Sequence, residues 1–386
     1  MPSSSISPCN NGLLPTVAVT ILALLTSAGL TLAGLGVPVA VAHLAFAVGV
    51  VPLIFAAMGH FVPVLTRTGD LSRSIRLVPN AAQAAGLLAV LAMEGLLPRW
   101  LLHLAAAADF LLAATMLSWI AGRVRSCLGS PHPGWRWYGA ALGCLMLAMA
   151  VVPPLATMPG LYANLRAFHL HMNILGLVGL AALGTLPVLL PTALGKPDPE
   201  AAGWLRRRLW LVAGGAMTVA IGSAFLWPVA VAGAALVLVV TLSLAAQWWR
   251  RFGPATLLGD GVAASLLAAV VGLVMLVMAG VAHGAGVASA RPAIAAWGAA
   301  FLLPLVTGAL SQLLPVWRWP GPVTPARNLM RAKLAASGRW RGLLFLLAGL
   351  AIIAGQEPLA GGFAGAGLAL FIIGLLQAVR VPASAR

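Results

Sequence analysis

The chain has 386 residues, 61% of them hydrophobic and only 8% charged, and its mean hydropathy is +1.01. No water-soluble core requires that composition, so the sequence is read as an all-α polytopic membrane protein whose first partner is the lipid bilayer. The formal net charge of +16 does not point to nucleic acid, because Lys and Arg fall in short clusters between apolar runs, as in loops facing anionic lipid.

Apolar runs of about 20 residues, the length that crosses a bilayer, predict about twelve transmembrane helices. The expected spans are 14–37, 40–66, 78–97, 99–122, 136–158, 166–192, 209–227, 229–248, 256–282, 292–317, 340–356 and 359–379. The segment before the first run holds no Lys or Arg. It therefore lacks the charged start of a cleaved signal, and the first run is read as a retained helix. Cys9, Cys127 and Cys144 form no C-x-x-C or C-x-x-C-H spacing. Covalent haem attachment, thiolate zinc sites and a disulfide framework all lack a signal.

Charge supports the count independently of hydropathy. With both termini cytoplasmic, twenty of the 23 basic residues fall on inner segments, and only Arg99, Arg166 and Arg291 lie outside. That alternation predicts twelve spans in a bacterial-type inner membrane. The chain also repeats itself. A Pro-Val-Leu at 63–65 recurs at 187–189, and the Leu-Pro at 190–191 recurs at 314–315, each 124 residues on. The repeats divide a single integral membrane domain into three pseudo-repeated blocks of four helices, about 14–135, 136–255 and 256–386.

In this topology His43, His103, His169, His171 and His283 lie toward one membrane face, while His132 falls in an inner loop and is read as solvated. His60 follows His43 by 17 residues, which at 1.5 Å per residue is about 25 Å deeper. Imidazole ligates haem iron, copper or zinc while neutral, so it enters a membrane more cheaply than a carboxylate. Any one of these histidines alone is explained by hydrogen bonding at the interface. Five at one face, on helices with few other polar groups, favour a shared site.

His169 and His171 point to nearly opposite sides of a regular helix at about 100° per residue. They are expected to divide their roles, with Asn173, about 40° from His169, orienting His169. Asp109 is the one carboxylate well inside a span, where a proton relay or counter-ion and a structural hydrogen bond are both open readings. Glu94 and Glu357 stand near span ends and are read as solvated. Asn80, Gln83 and Gln312 are read as hydrogen-bond partners between helices, and Gly176, Gly179 and Gly184 first as close-packing positions.

Twelve helices in three blocks of four, together with the H-x-H-x-N-x-L-G-x-x-G-L-x-x-L-G run of the sixth span, resemble the haem-copper oxidase and nitric oxide reductase subunit I superfamily. In size the chain looks more like the NnrS-type membrane proteins of that neighbourhood, which bind haem and copper and are linked to nitric oxide stress. The chain departs from the oxidases in having no histidine in its seventh or tenth span and no tyrosine near a copper position, so a complete oxygen- or nitric-oxide-reducing centre is not expected. The resemblance implies haem b and/or copper held by His43, His169 or His171, with His103 and His283 as further metal candidates. It implies a redox, nitric-oxide-response or metal-handling role. Two other readings stay open: a twelve-helix secondary transporter without cofactor, whose symmetry would be two blocks of six, and an accessory chain completed by a partner membrane subunit or by a homodimer.

Overall fold

A computed structural model describes residues 13–69, 71–287 and 293–382; Cys9, Arg291 and Arg386, used above, lie outside the described residues. The chain is an all-α polytopic membrane protein. Its described residues form twelve helices long and apolar enough to cross a membrane: α1 (Leu13–Ala33), α2 (Pro38–Thr66), α3 (Arg73–Met93), α4 (Leu101–Arg125), α5 (Gly134–Thr157), α6 (Pro159–Ala193), α7 (Ala201–Phe225), α8 (Trp227–Gly259), α9 (Gly261–Gly284), α10 (Ala293–Arg318), α11 (Pro325–Ile353) and α12 (Glu357–Val379).

Several helices run past the expected boundaries. Helix α7 begins before Arg206, Arg207 and Arg208, and α8 continues beyond Arg250 and Arg251. Hydropathy sees only the stretch that prefers hydrocarbon, whereas backbone hydrogen bonding carries α7 and the first part of α8 on into the interface; a kink at Gly253 (φ 73°, ψ 158°) then separates the short end of α8 from the span. The largest difference is α11, expected at 340–356. It opens with an amphipathic helix, Pro325–Ala335, and continues after a break as Gly338–Ile353. Thr324 caps the first part by accepting from the Arg327 amide at 3.2 Å, with Pro325 at the favoured first position. Ala326, Met330 and Leu334 are its buried face, spaced four apart. Arg327, Arg331 and Lys333 are therefore helical residues rather than loop residues.

The chain clusters into two compact units, Met1–Gly184 with Leu205–Ala230, and Thr185–Trp204 with Val231–Arg386. In the first, α4 packs against α3 and α5, and the start of α2 packs against α1. In the second, α9 packs against α10 and α11, and α11 against α12.

Three helices depart from the α pitch at corresponding places. Wider π-helical turns occupy Leu44–Val50 in α2, Met172–Gly179 in α6 and Gly298–Leu302 in α10. A π-turn holds extra residue length, so the chain before it is rotated relative to the chain after it, and such turns concentrate at functional sites. Each one faces a small residue. A Cβ at Gly86 of α3 would stand 2.5 Å from the Ala47 carbonyl, one at Gly272 of α9 would collide with the Ala300 carbonyl, and one at Gly176 would stand 2.6 Å from Cys144 Cβ. The Thr20 hydroxyl donates to the Gly49 carbonyl at 2.9 Å, and the Ser265 hydroxyl to the Pro304 carbonyl at 3.0 Å. These hydroxyls serve carbonyls at or just after a π-turn, where lipid offers no donor.

Gly86→Ala must push backbone against backbone, at an expected cost of about 1–3 kcal/mol. A lowered melting temperature in detergent is expected for that variant, with Gly143→Ala, where a Cβ meets nothing within 4 Å, left unchanged as the control.

Candidate functional site

The first unit brings together two histidines from different helices. His43 ends the α-helical opening of α2, one residue before its π-turn, and His169 stands three residues before the π-turn of α6. Their ring centroids are 6.4 Å apart and their planes differ by 20°. Ring faces in contact would be about 3.5–4 Å apart. The two imidazoles therefore lie nearly parallel, too far apart for face-to-face contact.

Hydrogen bonding fixes the tautomer of both rings. His43 Nδ1 is 2.7 Å from the Val39 carbonyl and His169 Nδ1 is 2.8 Å from the Ala148 carbonyl of α5. A carbonyl only accepts, so each Nδ1 carries the proton and each neutral ring keeps its lone pair on Nε2. A metal-ligating imidazole commonly donates its other ring N–H to a carbonyl in this way. Asn173 donates from Nδ2 to the His169 backbone carbonyl at 2.9 Å and stands 3.3 Å from His169 Nε2. Its Oδ1 is buried without a partner.

The other sequence candidates sit elsewhere. His171 turns back on its own helix, Nδ1 to the Ala167 carbonyl at 2.8 Å. His103, in the first turn of α4, has a buried Nδ1 without a hydrogen-bond partner. His283 belongs to the last turn of α9, in the second unit. His60 packs edge-on against Phe61 at 5.1 Å. Among the described residues, no group of three or more His, Cys, Asp and Glu side chains gathers as a metal site. Two imidazoles form a sparse donor set. Haem iron, which brings four porphyrin nitrogens of its own, needs no more than two protein ligands, and copper also favours imidazole. The donor set present fits either group.

Glu94 and Arg341 differ from their expected solvated settings, whereas Asn80, Gln83 and Gln312 bond between helices as expected. Glu94 accepts from the Val37 amide at 2.9 Å and so ties the end of α3 to the start of α2. Asn80 and Gln83 both engage Thr16 of α1, at 3.2 and 3.1 Å. Gln312 accepts from Arg331 Nε at 2.8 Å, and the same guanidinium reaches Asp260 at 2.9 Å and the Ala193 carbonyl at 2.7 Å. Arg341, placed by sequence among solvated inner residues, is wholly buried. Its guanidinium donates to the Ser311 hydroxyl at 3.1 Å and to the Leu334 and Thr307 carbonyls at 3.3 and 3.4 Å. The Ala148 carbonyl has no sequence signal at all, since any residue supplies one.

No protein-family model matches the chain, and no curated protein sequence matches it significantly.

His132 is half-buried rather than solvated. Its amide donates to the Leu65 carbonyl at 2.9 Å, and its Nδ1 accepts from the Gly134 amide at 3.3 Å. Burial, and then the charge of Arg206, hold its pKa below the usual 6.5. A histidine kept neutral in the fold destabilises it once the unfolded chain takes up a proton, so stability is full above about pH 6.5 and falls as pH drops through that value. His132→Asn keeps an acceptor for Gly134. Between about pH 7.5 and about pH 5.5 the melting temperature of the wild type is expected to fall further than that of the variant.

Proposed function

We propose that this membrane protein holds a haem b or a copper ion between His43 and His169 and serves a redox or metal-handling role, including the nitric-oxide response that the sequence resemblance implies. The observation that carries this reading is the pair itself: two neutral, nearly parallel imidazoles from α2 and α6, 6.4 Å between centroids, each with Nδ1 committed to a backbone carbonyl. Either group supplies one-electron redox chemistry when bound. The chain's own contribution is positional. Val39 and Ala148 set the tautomers, and the Asn173 Nδ2 that donates to the His169 Nε2 lone pair at 3.3 Å would give way to a bound metal.

The placement of the π-turns in the second, sixth and tenth helices supports three blocks of four rather than two blocks of six, and so favours this reading over a cofactor-free transporter. The site lies at the membrane face opposite the Arg-rich segments, which the charge alternation makes the outer face of a bacterial-type inner membrane with both termini cytoplasmic.

Absorption spectra of the air-oxidised and dithionite-reduced protein, with elemental analysis, test the proposal. A Soret band that shifts on reduction, or copper near one per chain, is expected. Occupancy should fall at least about tenfold in His43→Ala and His169→Ala, with His103→Ala and His283→Ala close to wild type. Colourless protein lacking iron and copper overturns the proposal.

A further inference from the structure

Asp109 is the ninth residue of α4 and is 7% exposed. Its Oδ1 is buried with no hydrogen-bond partner, and no cationic side chain among the described residues lies within 4 Å of its carboxyl group. At 1.5 Å per residue it stands about 12 Å below the start of the helix and about 24 Å from the Arg125 end. The residues sharing its buried face are Ala105, Ala106, Ala113, Met116 and Ile120, none of which offers a side-chain donor.

Charged and titratable groups on the elements packed against α4 are distant or uncharged. Helix α3 carries Arg73 and Arg76 in its first turn, α5 carries Arg136, Tyr138 and Cys144, the 51–66 half of α2 carries His60, and the 152–157 segment carries none. On α4 itself are His103, Arg123 and Arg125. Along the helix axes every one of these arginines lies roughly 20 Å away from Asp109 at 1.5 Å per residue. Neither the Cys144 thiol nor the Tyr138 hydroxyl can supply a positive charge. His103 stands about 9 Å nearer the helix start.

We infer that Asp109 is a neutral carboxylic acid and the intramembrane proton-binding site of the first unit, separate from the histidine pair. An ionised carboxylate there would lack both solvent and counter-ion. A metal cation would need several further oxygen ligands, which alanine, methionine and isoleucine cannot supply. A bound proton neutralises the group with no other ligand. A side chain that costs stability in this position and receives no hydrogen bond in return marks a functional group. This inference does not depend on the proposed haem or copper centre.

A neutral buried acid reacts with a membrane-soluble carbodiimide. The carboxyl oxygen bonds to the carbodiimide carbon while the acid proton moves to nitrogen, and the O-acylisourea rearranges by acyl shift to a stable N-acylurea. Nothing leaves, and no redox partner is needed. The full-length protein in liposomes is treated with dicyclohexylcarbodiimide, or with a water-soluble carbodiimide plus glycine ethyl ester, and its peptides are read by mass spectrometry.

The expected result is one dicyclohexylcarbodiimide increment on the peptide holding Asp109, no increment there from the water-soluble pair, and no protection by sodium chloride. The exposed Glu200 serves as the reverse control. An unmodified Asp109 peptide after the hydrophobic reagent, or modification by the water-soluble pair, overturns the inference, and sodium protection overturns the assignment to a proton. Infrared spectroscopy reads the same group without any reagent. The wild type should show a carboxylic-acid C=O band that Asp109→Asn lacks, and its absence from the wild type also overturns the inference.

Discussion

Hydrocarbon offers a backbone carbonyl no water, so each carbonyl a spanning helix releases must be answered by a neighbouring helix. The architecture of both units follows from this demand. Where α2 and α10 widen into π-turns, a hydroxyl from the preceding long helix reaches a carbonyl there: Thr20 to Gly49 and Ser265 to Pro304. Ser27 does the same for Val41, close to the start of the first π-turn. In α6 the neighbour at the turn is Cys144, 124 residues after Thr20. Glycines at 86, 176 and 272 then let the partners approach to backbone distance.

The histidine pair uses the same kind of bond in the opposite sense. His169 answers a carbonyl of α5, and in doing so it leaves its Nε2 as the lone-pair nitrogen. The bond that satisfies the backbone thus also fixes which ring nitrogen keeps its lone pair. His43 obtains the same tautomer from its own helix, through Val39. Structural demand and chemical readiness coincide at these two rings, whereas at Asp109 the polar group remains unanswered.

In the second unit the charges near the helix ends are paired rather than solvated. Asp260 caps α9 by accepting from the Val262 and Ala263 amides, and it also binds Arg331. Asp198 pairs with Arg251 at 3.1 Å and accepts from Gln247 at 3.0 Å. Arg318 closes the end of α12 through the Val379 carbonyl at 3.1 Å, a cation placed where the helix dipole is negative. Positive-inside counting treats such residues as a solvated population. Their geometry makes several of them fasteners between helices.

Sequence by itself determined the all-α class and the number of spans, because the length of an apolar run is set by bilayer thickness and not by tertiary contacts. It also singled out His43, His169, Asn173 and Asp109, because a polar group in hydrocarbon is costly enough to be conspicuous. Helix ends were less legible, since a helix continues past the hydrocarbon into the interface, as α7 does, or is joined there by a separate segment, as α8 and α11 are. Only the tertiary structure decided which histidines meet. Periodicity assumes a constant angle per residue, and the π-turns at 44–50 and 172–179 break that assumption directly beside His43 and His171. The pairing of His169 with Ala148, 21 residues away, depends on how α5 lies against α6. A backbone carbonyl carries no residue identity, so no reading of side chains alone would have found it.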